Sequence, residues 1–310
     1  MLLDNGCFMS LNKNSGFAPH LALLGVQLFF GSAPVFGKFA LQTFSPYSIV
    51  GFRVGGAALA FYILQRLRGN LELENTKDYL YFAGFALIGI VCNQLFYFTG
   101  LSLTSATNAS LIAVMIPVFA ILISTLFGND KLTWQKIFGI VVAAIGVMIL
   151  INPFKTEFSS FTLFGDLLIL FNSLSYAFYV AVSKKFISKY GALKSIAWLF
   201  IFGSLINVPI GLYFLGQMNL SEVSGFSWLM VACLVLFPTI LAYFWNAWAL
   251  ARVEPSVVVV YVYLQPLIGF LSAVIFLGEH FSIRPVISAI LIFIGVFLVT
   301  RKSNPPIHKT

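Results

Sequence analysis

The chain has 310 residues, of which 60% are hydrophobic and 9% are charged, and its mean hydropathy is +0.96. Soluble domains average roughly half apolar and a quarter charged residues, so this composition excludes an ordinary soluble fold. The net charge of +8 is better explained by basic cytoplasmic loops than by a nucleic-acid partner, and no nucleic-acid role is expected.

Apolar stretches long enough to cross a bilayer follow one another along the chain. A membrane-spanning helix needs about 20 mostly apolar residues, because the hydrocarbon core is about 30 Å thick and each residue rises about 1.5 Å. In chain order the predicted spans are 19–40, 46–66, 79–99, 104–127, 132–151, 163–186, 193–215, 225–250, 255–277 and 283–300. We predict an all-α membrane protein with ten transmembrane helices, and we expect the first to be a retained helix.

The distribution of basic residues predicts the orientation in the membrane. With the N-terminus inside, most of the eighteen Lys and Arg residues lie in segments that would be cytoplasmic, as the positive-inside rule requires. The exceptions are Lys38, Arg53, Lys155 and Arg284. We therefore expect a multi-pass protein of the plasma (inner) membrane with both termini in the cytoplasm.

The second half of the chain repeats the turn and helix signals of the first half. At offsets of 149 or 150 residues, the matching pairs are Leu101 and Leu250, Pro117 and Pro266, Gly128 and Gly278, and Gly146 and Gly295. Each half would contain five helices, an odd number, so the halves enter the bilayer in opposite directions. This predicts an inverted repeat of the kind found in secondary transporters, with units at 19–151 and 163–300.

These features resemble a known family over nearly the whole chain, the EamA-type members of the drug/metabolite transporter superfamily. Besides the repeated signals, the matching residues are Gly31, Pro34, Lys38, Arg53, Gly165, Ala177, Tyr179 and Leu277-Gly278-Glu279. The chain departs from the family pattern at Gly128-Asn129-Asp130, and Phe29 and Phe30 stand where a tryptophan is common. The resemblance implies a ten-helix carrier that moves small metabolites or drugs, often outward, through a central cavity between two repeats.

Uncharged polar residues inside the spans are candidates for substrate binding. Hydrocarbon offers no hydrogen-bond partner, so each must face protein or a wet cavity. On the sixth span, Asn172, Tyr176 and Tyr179 follow the i, i+4, i+7 spacing of one helix face. The predicted substrate-binding set is Asn93, Asn172, Tyr176, Tyr179, Tyr243, Trp245, Asn246, Tyr261 and Gln265. For any single polar residue, the competing interpretation is an interhelical hydrogen bond, worth about 0.6 kcal/mol.

Two basic residues are predicted near the outer mouth. Lys38 lies near the end of the first span and Arg53 about two turns into the second, so both side chains could extend to the same interface. They would either orient and pack the helices or attract and gate an anionic group. Asp166 would pair with one of them, or lie in the first turn of its own helix because the helix dipole favours an acid there.

Small residues and a helix cap carry structural predictions. Gly51 and Gly55 form a GxxxG pair, and Ser102, Ala106 and Ser110 form a small-residue stripe. Both patterns favour close helix packing, with a homodimer face as the alternative. Ser45 is the predicted cap of the helix that begins at Pro46.

The motifs that the sequence lacks narrow the function. Three scattered cysteines and three histidines give no disulfide framework or metal site, and no nucleotide-binding or HExxH motif occurs, so no cofactor or catalytic residue is expected. Asp166, Glu254 and Glu279 lie at span ends, which favours exchange or facilitated export over proton antiport.

The predicted function is secondary transport by alternating access. The expected substrate is a small organic metabolite, such as an amino acid or a related polar solute, or a drug, and export is the expected direction. A membrane enzyme acting on a lipid and a non-transporting sensor or assembly partner remain as alternatives. An enzyme of that kind would need clustered acids or histidines at one membrane face.

Overall fold

The computed structural model describes residues 17–126, 133–151, 160–253, 258, 261, 262, 264–279 and 283–300. The predicted turn Gly128-Asn129-Asp130, Lys155 and Glu254 lie outside the described residues. Within them every regular element is helical and no strand occurs, so the all-α prediction is confirmed for this part of the chain.

The helices, labelled here in chain order, overlap the predicted spans. They are α1 (Ala18–Leu41), α2 (Pro46–Arg68), α3 (Thr76–Leu103), α4 (Ala106–Ile112, a 3-10 turn at Ala113–Met115, then Ile116–Leu126), α5 (Trp134–Ile151), α6 (Ser160–Tyr190), α7 (Ala192–Leu215), α8 (Gly225–Leu250), α9 (Leu264–Leu277) and α10 (Ile283–Thr300). The described part of α9 begins later than predicted, and part of the predicted 255–277 span is not described.

Seven of the described helices, α1 to α4 and α6 to α8, are long and apolar enough to cross a membrane. The shorter apolar helices are Trp134–Gly146, Leu264–Leu277 and Ile283–Gly295, within α5, α9 and α10. Large apolar side chains such as Leu59, Leu205 and Ile275 are exposed on the outside of the bundle. Such a surface suits lipid, because an extensive exposed apolar surface is unusual in a soluble monomer.

Several helices begin at the residues that their sequence signals indicate. Ser45 caps α2 by accepting a hydrogen bond from the Ser48 backbone N–H at 3.1 Å, and Pro46 occupies the first turn, where its missing N–H costs nothing. The predicted cap is therefore confirmed. Asn75 caps α3 in the same way, and Ser224 caps α8.

The predicted GxxxG pair packs α2 against α7. A Cβ added to Gly51 would lie 2.9 Å from the Gly211 Cα, and one added to Gly55 would lie 2.9 Å from a Val208 methyl group. This confirms the close-packing interpretation. Because the chain's own α7 covers these glycines, they do not offer a free face to a second copy.

The small-residue stripe is divided between two helices. Ser110 in α4 is buried against Gly269 of α9, where an added Cβ would lie 2.0 Å from the Ser110 Oγ. Ser102 belongs to α3, which ends at Leu103, and its side chain is exposed. The prediction of one continuous stripe is therefore wrong, because the chain turns between α3 and α4 and redirects the helix axis.

The contact between α5 and α10 is reciprocal. A Cβ added to Gly146 would meet the Ile292 side chain at 2.8 Å, and one added to Gly295 would meet the Ala143 backbone nitrogen at 2.5 Å. Gly295 follows Gly146, and Ile292 follows Ala143, by 149 residues. Reciprocal contacts of this type are those made by two surfaces related by a two-fold axis.

Two π-helical segments are separated by the same interval. One is Leu87–Cys92 within α3 and the other is Leu236–Leu241 within α8. Each boundary of the second follows the corresponding boundary of the first by 149 residues. A π segment rotates the residues that follow it, and such segments are frequent at functional sites. Within two residues of its end, each segment is followed by a polar residue that lines the central cavity, Gln94 after the first and Tyr243 after the second.

Candidate functional site

A central cavity of about 630 Å³, counting the space at its mouth, lies where α1, α2, α3, α4, α6, α8 and α9 meet. Its polar lining residues are Arg53, Asn93, Gln94, Tyr97, Ser110, Asn172, Tyr176, Tyr243 and Gln265. Its apolar lining residues are Phe30, Ala33, Pro34, Ala109, Ala113 and Ile116. This mixture of apolar walls and a few polar groups is typical of a small-molecule site.

The residues that follow the two π segments meet across the cavity. Gln94 Nε2 donates to the Tyr243 hydroxyl at 2.8 Å, and that hydroxyl lies 3.3 Å from the acceptor Asn93 Oδ1. Gln94 and Tyr243 each lie two residues beyond a π segment, and they are separated by 149 residues. The contact therefore joins corresponding positions of α3 and α8.

An amide pair fixes α3 to α6 beside this contact. Asn172 Nδ2 donates to the Asn93 backbone oxygen at 2.9 Å, and Asn93 Nδ2 donates to the Asn172 backbone oxygen at 3.3 Å. Each side chain thus satisfies a carbonyl of the other helix. In a buried setting this exchange fixes the two helices in register, because an unpaired amide would be costly.

A second amide pair joins α1 to α9. Gln265 Nε2 donates to Gln27 Oε1 at 2.7 Å, and both side chains are buried. The helices can approach because Gly31 has no side chain, and an added Cβ there would lie 2.7 Å from Ile268. The polar residue Gln265 is thereby held at the cavity wall.

Arg53 lies at the cavity wall, and its side chain is directed into the helix bundle. Its side chain is 3% exposed, its Nε donates to Thr239 Oγ1 at 2.7 Å, and its guanidinium carbon lies 4.7 Å from the centre of the Phe98 ring. The side chain therefore does not extend to a water interface as expected, whereas its proposed role in gating stays a prediction. Thr239, in the π segment of α8, provides a buried acceptor that draws the side chain inward.

Four of the predicted substrate-binding residues lie outside the cavity lining. Tyr179 packs against Gly89, where an added Cβ would lie 3.1 Å from the tyrosine, and Trp245 packs against Phe29 with ring centres 5.4 Å apart. Asn246 is buried, and the Tyr261 hydroxyl is hydrogen-bonded to His20 Nδ1 at 2.8 Å. Sequence spacing identifies the residues that share a helix face, but the cavity contacts only part of such a face. Some residues on the predicted faces therefore pack against neighbouring helices instead.

Lys38 also lies outside the cavity lining. Its side chain is half-buried near the end of α1, close enough to Glu279 for their charges to attract. Glu279 in turn binds the first turn of α4. Its Oε1 accepts from the Ala106 backbone N–H at 2.9 Å, and its Oε2 accepts from the Thr107 backbone N–H and hydroxyl at 3.2 Å and 2.5 Å.

The Gly278-Glu279 turn explains how this carboxylate reaches α4. Gly278 has a φ of +66°, a left-handed conformation that glycine adopts without strain. The turn ends α9, and the Glu279 side chain then provides acceptors for N–H groups that have no partner within α4. A carboxylate at this position also interacts favourably with the helix dipole.

Asp166 binds the same region from α6. Gly165 and Gly100 let α6 and α3 cross closely. Asp166 Oδ1 then accepts from the Thr104 hydroxyl at 2.5 Å, and Asn108 Nδ2 donates to its Oδ2 at 3.2 Å. The predicted pairing of Asp166 with Lys38 or Arg53 is therefore wrong. The alternative, an acid in the first turn of its own helix, is also wrong, because α6 begins at Ser160 and Asp166 lies beyond its first turn.

The opposite end of α3 and α6 has a different arrangement, an ion pair. Lys189 Nζ donates to Asp78 Oδ2 at 2.8 Å and lies 3.5 Å from Glu74 Oε2. Hydrogen bonding to Asp78 raises the pKa of Lys189 above its ordinary value, so the pair stays charged at neutral pH. Within the described residues no group of three or more His, Cys, Asp or Glu side chains could hold a metal ion.

Sequence reasoning missed part of the lining. Tyr97 could have been found, since it lies one turn after Asn93 on the same face of α3. Gln94 is a polar residue within the predicted third span, but the predicted substrate-binding set does not include it. Ser110 was attributed to packing and proves to line the cavity as well. Apolar residues such as Phe30 and Ile116 carried no signal, because a membrane helix contains many residues like them.

Comparison with known proteins gives concordant matches. The EamA-like transporter family model matches residues 18–152 and 163–301. The chain is 24% identical to Uncharacterized transporter YyaM of Bacillus subtilis (strain 168) over 294 residues, covering 94% of this chain and 96% of that protein. It is 27% identical to an uncharacterized transporter of Archaeoglobus fulgidus over 290 residues, covering 92% and 98%.

Two further matches also cover most of this chain. A WAT1-related protein of Arabidopsis thaliana is 26% identical over 316 residues, covering 90% of this chain and 84% of that protein. A crystal structure matches with a TM-score of 0.64 at 17% identity, covering 90% of this chain and 95% of its own. At that identity the likeness concerns the fold alone.

Proposed function

The chain belongs to the EamA-like transporter family and is a multi-pass membrane transporter, and we propose that it exports a small organic solute by alternating access. The proposed solute is an amino acid, a related polar metabolite or a drug-like amphiphile. The proposed machine has ten transmembrane helices in two inverted units, 19–151 and 163–300. Rocking of these units would expose a central site to each side of the membrane in turn.

The contact between Gln94 and Tyr243 is the observation that carries this proposal. It joins positions 149 residues apart, each following a π segment, and it lies at the wall of the cavity. In an inverted repeat, corresponding residues meet near the axis that relates the two units. A cavity at that axis is the position in which one site can serve both sides of the membrane.

The reciprocal packing of α5 and α10 supports the same arrangement. Its two contacts use glycines at corresponding positions, Gly146 and Gly295. We propose the plasma (inner) membrane as the location, with both termini in the cytoplasm, from the distribution of basic loops. Reporter fusions at each terminus would test that orientation, and a periplasmic or extracellular signal from either terminus would contradict it.

Transport itself is best tested by counterflow in proteoliposomes. Proteoliposomes that contain the purified chain would be loaded with an unlabelled amino acid, nucleoside, sugar or cationic drug. For at least one of these solutes, they should take up the labelled form from outside in exchange. Tyr176→Phe removes a hydroxyl from the cavity lining and should raise the KM of that solute. Tyr179→Phe is the matched control on the same helix, since Tyr179 lies outside the lining. Equal kinetics in both variants would contradict the proposed site.

A reversible crosslink would test the rocking motion. The Thr43 and Ser227 hydroxyl oxygens lie 2.9 Å apart, joining the end of α1 to the start of α8. In a background with Cys7, Cys92 and Cys233 replaced by serine, the pair Thr43→Cys and Ser227→Cys should form a disulfide. Oxidation should stop counterflow and reduction should restore it, whereas undiminished exchange by the crosslinked protein would contradict alternating access at this end.

A further inference from the structure

Arg53 brings a buried positive charge to the cavity wall. Its Nε donates to Thr239 Oγ1 at 2.7 Å, and its Nη2 lies 3.4 Å from the Pro238 carbonyl oxygen. A guanidinium has five N–H donors in a planar fork. Within the described part of the chain these are the only hydrogen bonds that Arg53 makes. The remaining donors are available to an occupant of the cavity.

The described carboxylates in the helix bundle are engaged elsewhere. Asp166 is bound by Thr104 and Asn108, Glu279 binds the start of α4, and Asp78 pairs with Lys189. The described residues that line the cavity include no acid. A buried cation without a counterion is unfavourable, so an anion that enters the cavity would reduce the desolvation cost of the Arg53 charge.

The neutral groups of the cavity define the rest of the ligand. Gln94 uses its Nε2 to bind Tyr243, but its buried Oε1 has no hydrogen-bond partner in the described residues. A ligand that reaches this oxygen must offer a donor, such as a hydroxyl or an amino group. Aromatic rings of Phe30, Tyr97 and Tyr176 form much of the remaining wall and would contact an apolar body.

Given the proposed transport function, on which this inference rests, we infer that the cavity takes a small organic monocarboxylate. Its carboxylate would accept hydrogen bonds from the Arg53 guanidinium, whose fork matches carboxylate geometry. A hydroxyl or amino group of the same molecule would donate to Gln94 Oε1. A single uncompensated cation matches a single negative charge, whereas a phosphate monoester carries a charge of about −1.5 to −2 at neutral pH.

A purely structural role for Arg53, tying α2 to α8, makes a different prediction. A structural tie would lower stability when removed but would leave the ligand preference of the cavity unchanged. Its hydrogen bond to Thr239 Oγ1 uses one donor and would not require a charge. The two roles therefore separate when ligand charge and the charge at position 53 are varied independently.

The experiment uses four probes that share a phenyl ring. Two of them are carboxylates: 3-phenyllactate, which also has a hydroxyl, and 3-phenylpropionate, which does not. The other two, phenethylamine and 3-phenylpropan-1-ol, have no carboxylate. Binding to the purified full chain is measured as ligand-dependent thermal stabilisation and Kd, and transport as counterflow. The variants are Arg53→Met, Arg53→Lys and Gln94→Met, with Arg66→Met as a control on the same helix, where Arg66 is exposed.

The two carboxylates should bind, with 3-phenyllactate the tighter of the two. Arg53→Met should weaken both by about tenfold to a hundredfold, the range for hydrogen bonds to a charged group. Arg53→Lys should recover part of that loss, because it keeps the charge but not the fork. Gln94→Met should remove the advantage of 3-phenyllactate over 3-phenylpropionate, and Arg66→Met should change nothing.

Three results would overturn the inference. The first is tighter binding of phenethylamine or 3-phenylpropan-1-ol than of the carboxylates, and the second is carboxylate binding by a folded Arg53→Met variant that equals that of the unchanged protein. The third is no binding of either carboxylate. The proposed transport function fails separately. If carboxylates bind in an Arg53-dependent way but no solute undergoes counterflow, the carboxylate site is supported and the transport proposal is contradicted. If a cation undergoes counterflow and Arg53→Met does not change its rate, the transport proposal is supported and the carboxylate site is contradicted.

Discussion

Two contacts at nearly corresponding positions in the halves of the molecule differ in chemistry. In one, Arg53 of α2 meets Thr239 in the π segment of α8. In the other, Gly203 of α7 meets Ile90 in the π segment of α3, where an added Cβ would lie 2.6 Å from Ile90. Gly203 follows Arg53 by 150 residues and Thr239 follows Ile90 by 149. Both contacts join a helix to a π segment of the other half, but only the contact of Arg53 brings a charge to the cavity.

The residues after the two π segments show the same division. Asn93, Gln94 and Tyr97 of α3 all line the cavity. Their counterparts 149 residues later are Ala242, Tyr243 and Asn246, of which only Tyr243 lines it. The repeated backbone therefore places corresponding positions near the centre, and differences in their side chains make the cavity lining asymmetric.

The largest effect on stability is expected at the reciprocal contact between α5 and α10. Gly295→Ala would put a Cβ 2.5 Å from the backbone of α5, and backbone cannot move aside, so we expect a loss of about 3 kcal/mol in the free energy of unfolding. Gly146→Ala meets mainly the Ile292 side chain and should cost less. Unfolding in mixed detergent micelles would measure both.

The matched control for these glycines is Gly84→Ala. Gly84 lies in α3 with no atom within 4 Å of an added Cβ, so alanine should be neutral or stabilising by up to about 1 kcal/mol. Equal losses from Gly84→Ala and Gly295→Ala would show that the reciprocal contact does not hold the two halves together.

The next effect tests the charged contact against its apolar counterpart. Thr239→Val removes the acceptor of Arg53 Nε and should lower the free energy of unfolding by about 2 kcal/mol, because a buried donor is left unpaired. Ile90→Val only shortens a packed side chain and should cost about 1 kcal/mol. Thermal unfolding would compare them.

A double variant sharpens this test. Combining Thr239→Val with Arg53→Met replaces both partners by apolar groups, and most of the lost stability should return. If the double variant is less stable than either single variant, the hydrogen bond is not the reason for the loss.

A smaller effect is expected at the start of α4. Glu279→Gln keeps the length of the side chain but removes the charge that interacts with the helix N-terminus, so we expect a loss of about 1 kcal/mol. Glu279→Asp, which gives the second turn the shorter acid found in the first-half turn at Asp130, should also lose part of the three hydrogen bonds to Ala106 and Thr107. Stability unchanged in both variants would exclude this role.

The smallest effect concerns the contact at the proposed axis. In a double-mutant cycle of Gln94→Met and Tyr243→Phe, the hydrogen bond of 2.8 Å should appear as a coupling energy of about 0.6 kcal/mol, the average for polar pairs within membranes. Strict additivity of the two variants would mean that the two residues do not cooperate across the cavity.

Much of the fold could be predicted from the sequence, since apolar length fixes where helices run. The caps at Ser45 and the glycines at Gly51 and Gly55 were also readable, because their physical roles are local or depend on a short spacing. Part of the site was readable for a related reason. Asn93, Asn172, Tyr176, Tyr243 and Gln265 were selected as polar residues that hydrocarbon would not tolerate, and all five line the cavity.

The same reasoning could not rank residues on one helix face. Tyr176 lines the cavity and Tyr179 does not, although they are three residues apart on α6. Arg53 was placed at an interface because a lone charge near a helix start can extend to water. Its inward path depends on an acceptor at Thr239, which is 186 residues away.

By itself the sequence determined the environment, the helices and the internal repeat, because hydrophobic length and local backbone signals act over a few residues. The tertiary structure alone decided which polar side chains meet. The π segments turn Gln94 and Tyr243 toward each other, the Gly278 turn carries Glu279 to α4, and Thr239 draws Arg53 inward. These outcomes depend on contacts between distant helices, and no local pattern encodes the direction in which two packed helices rotate their side chains.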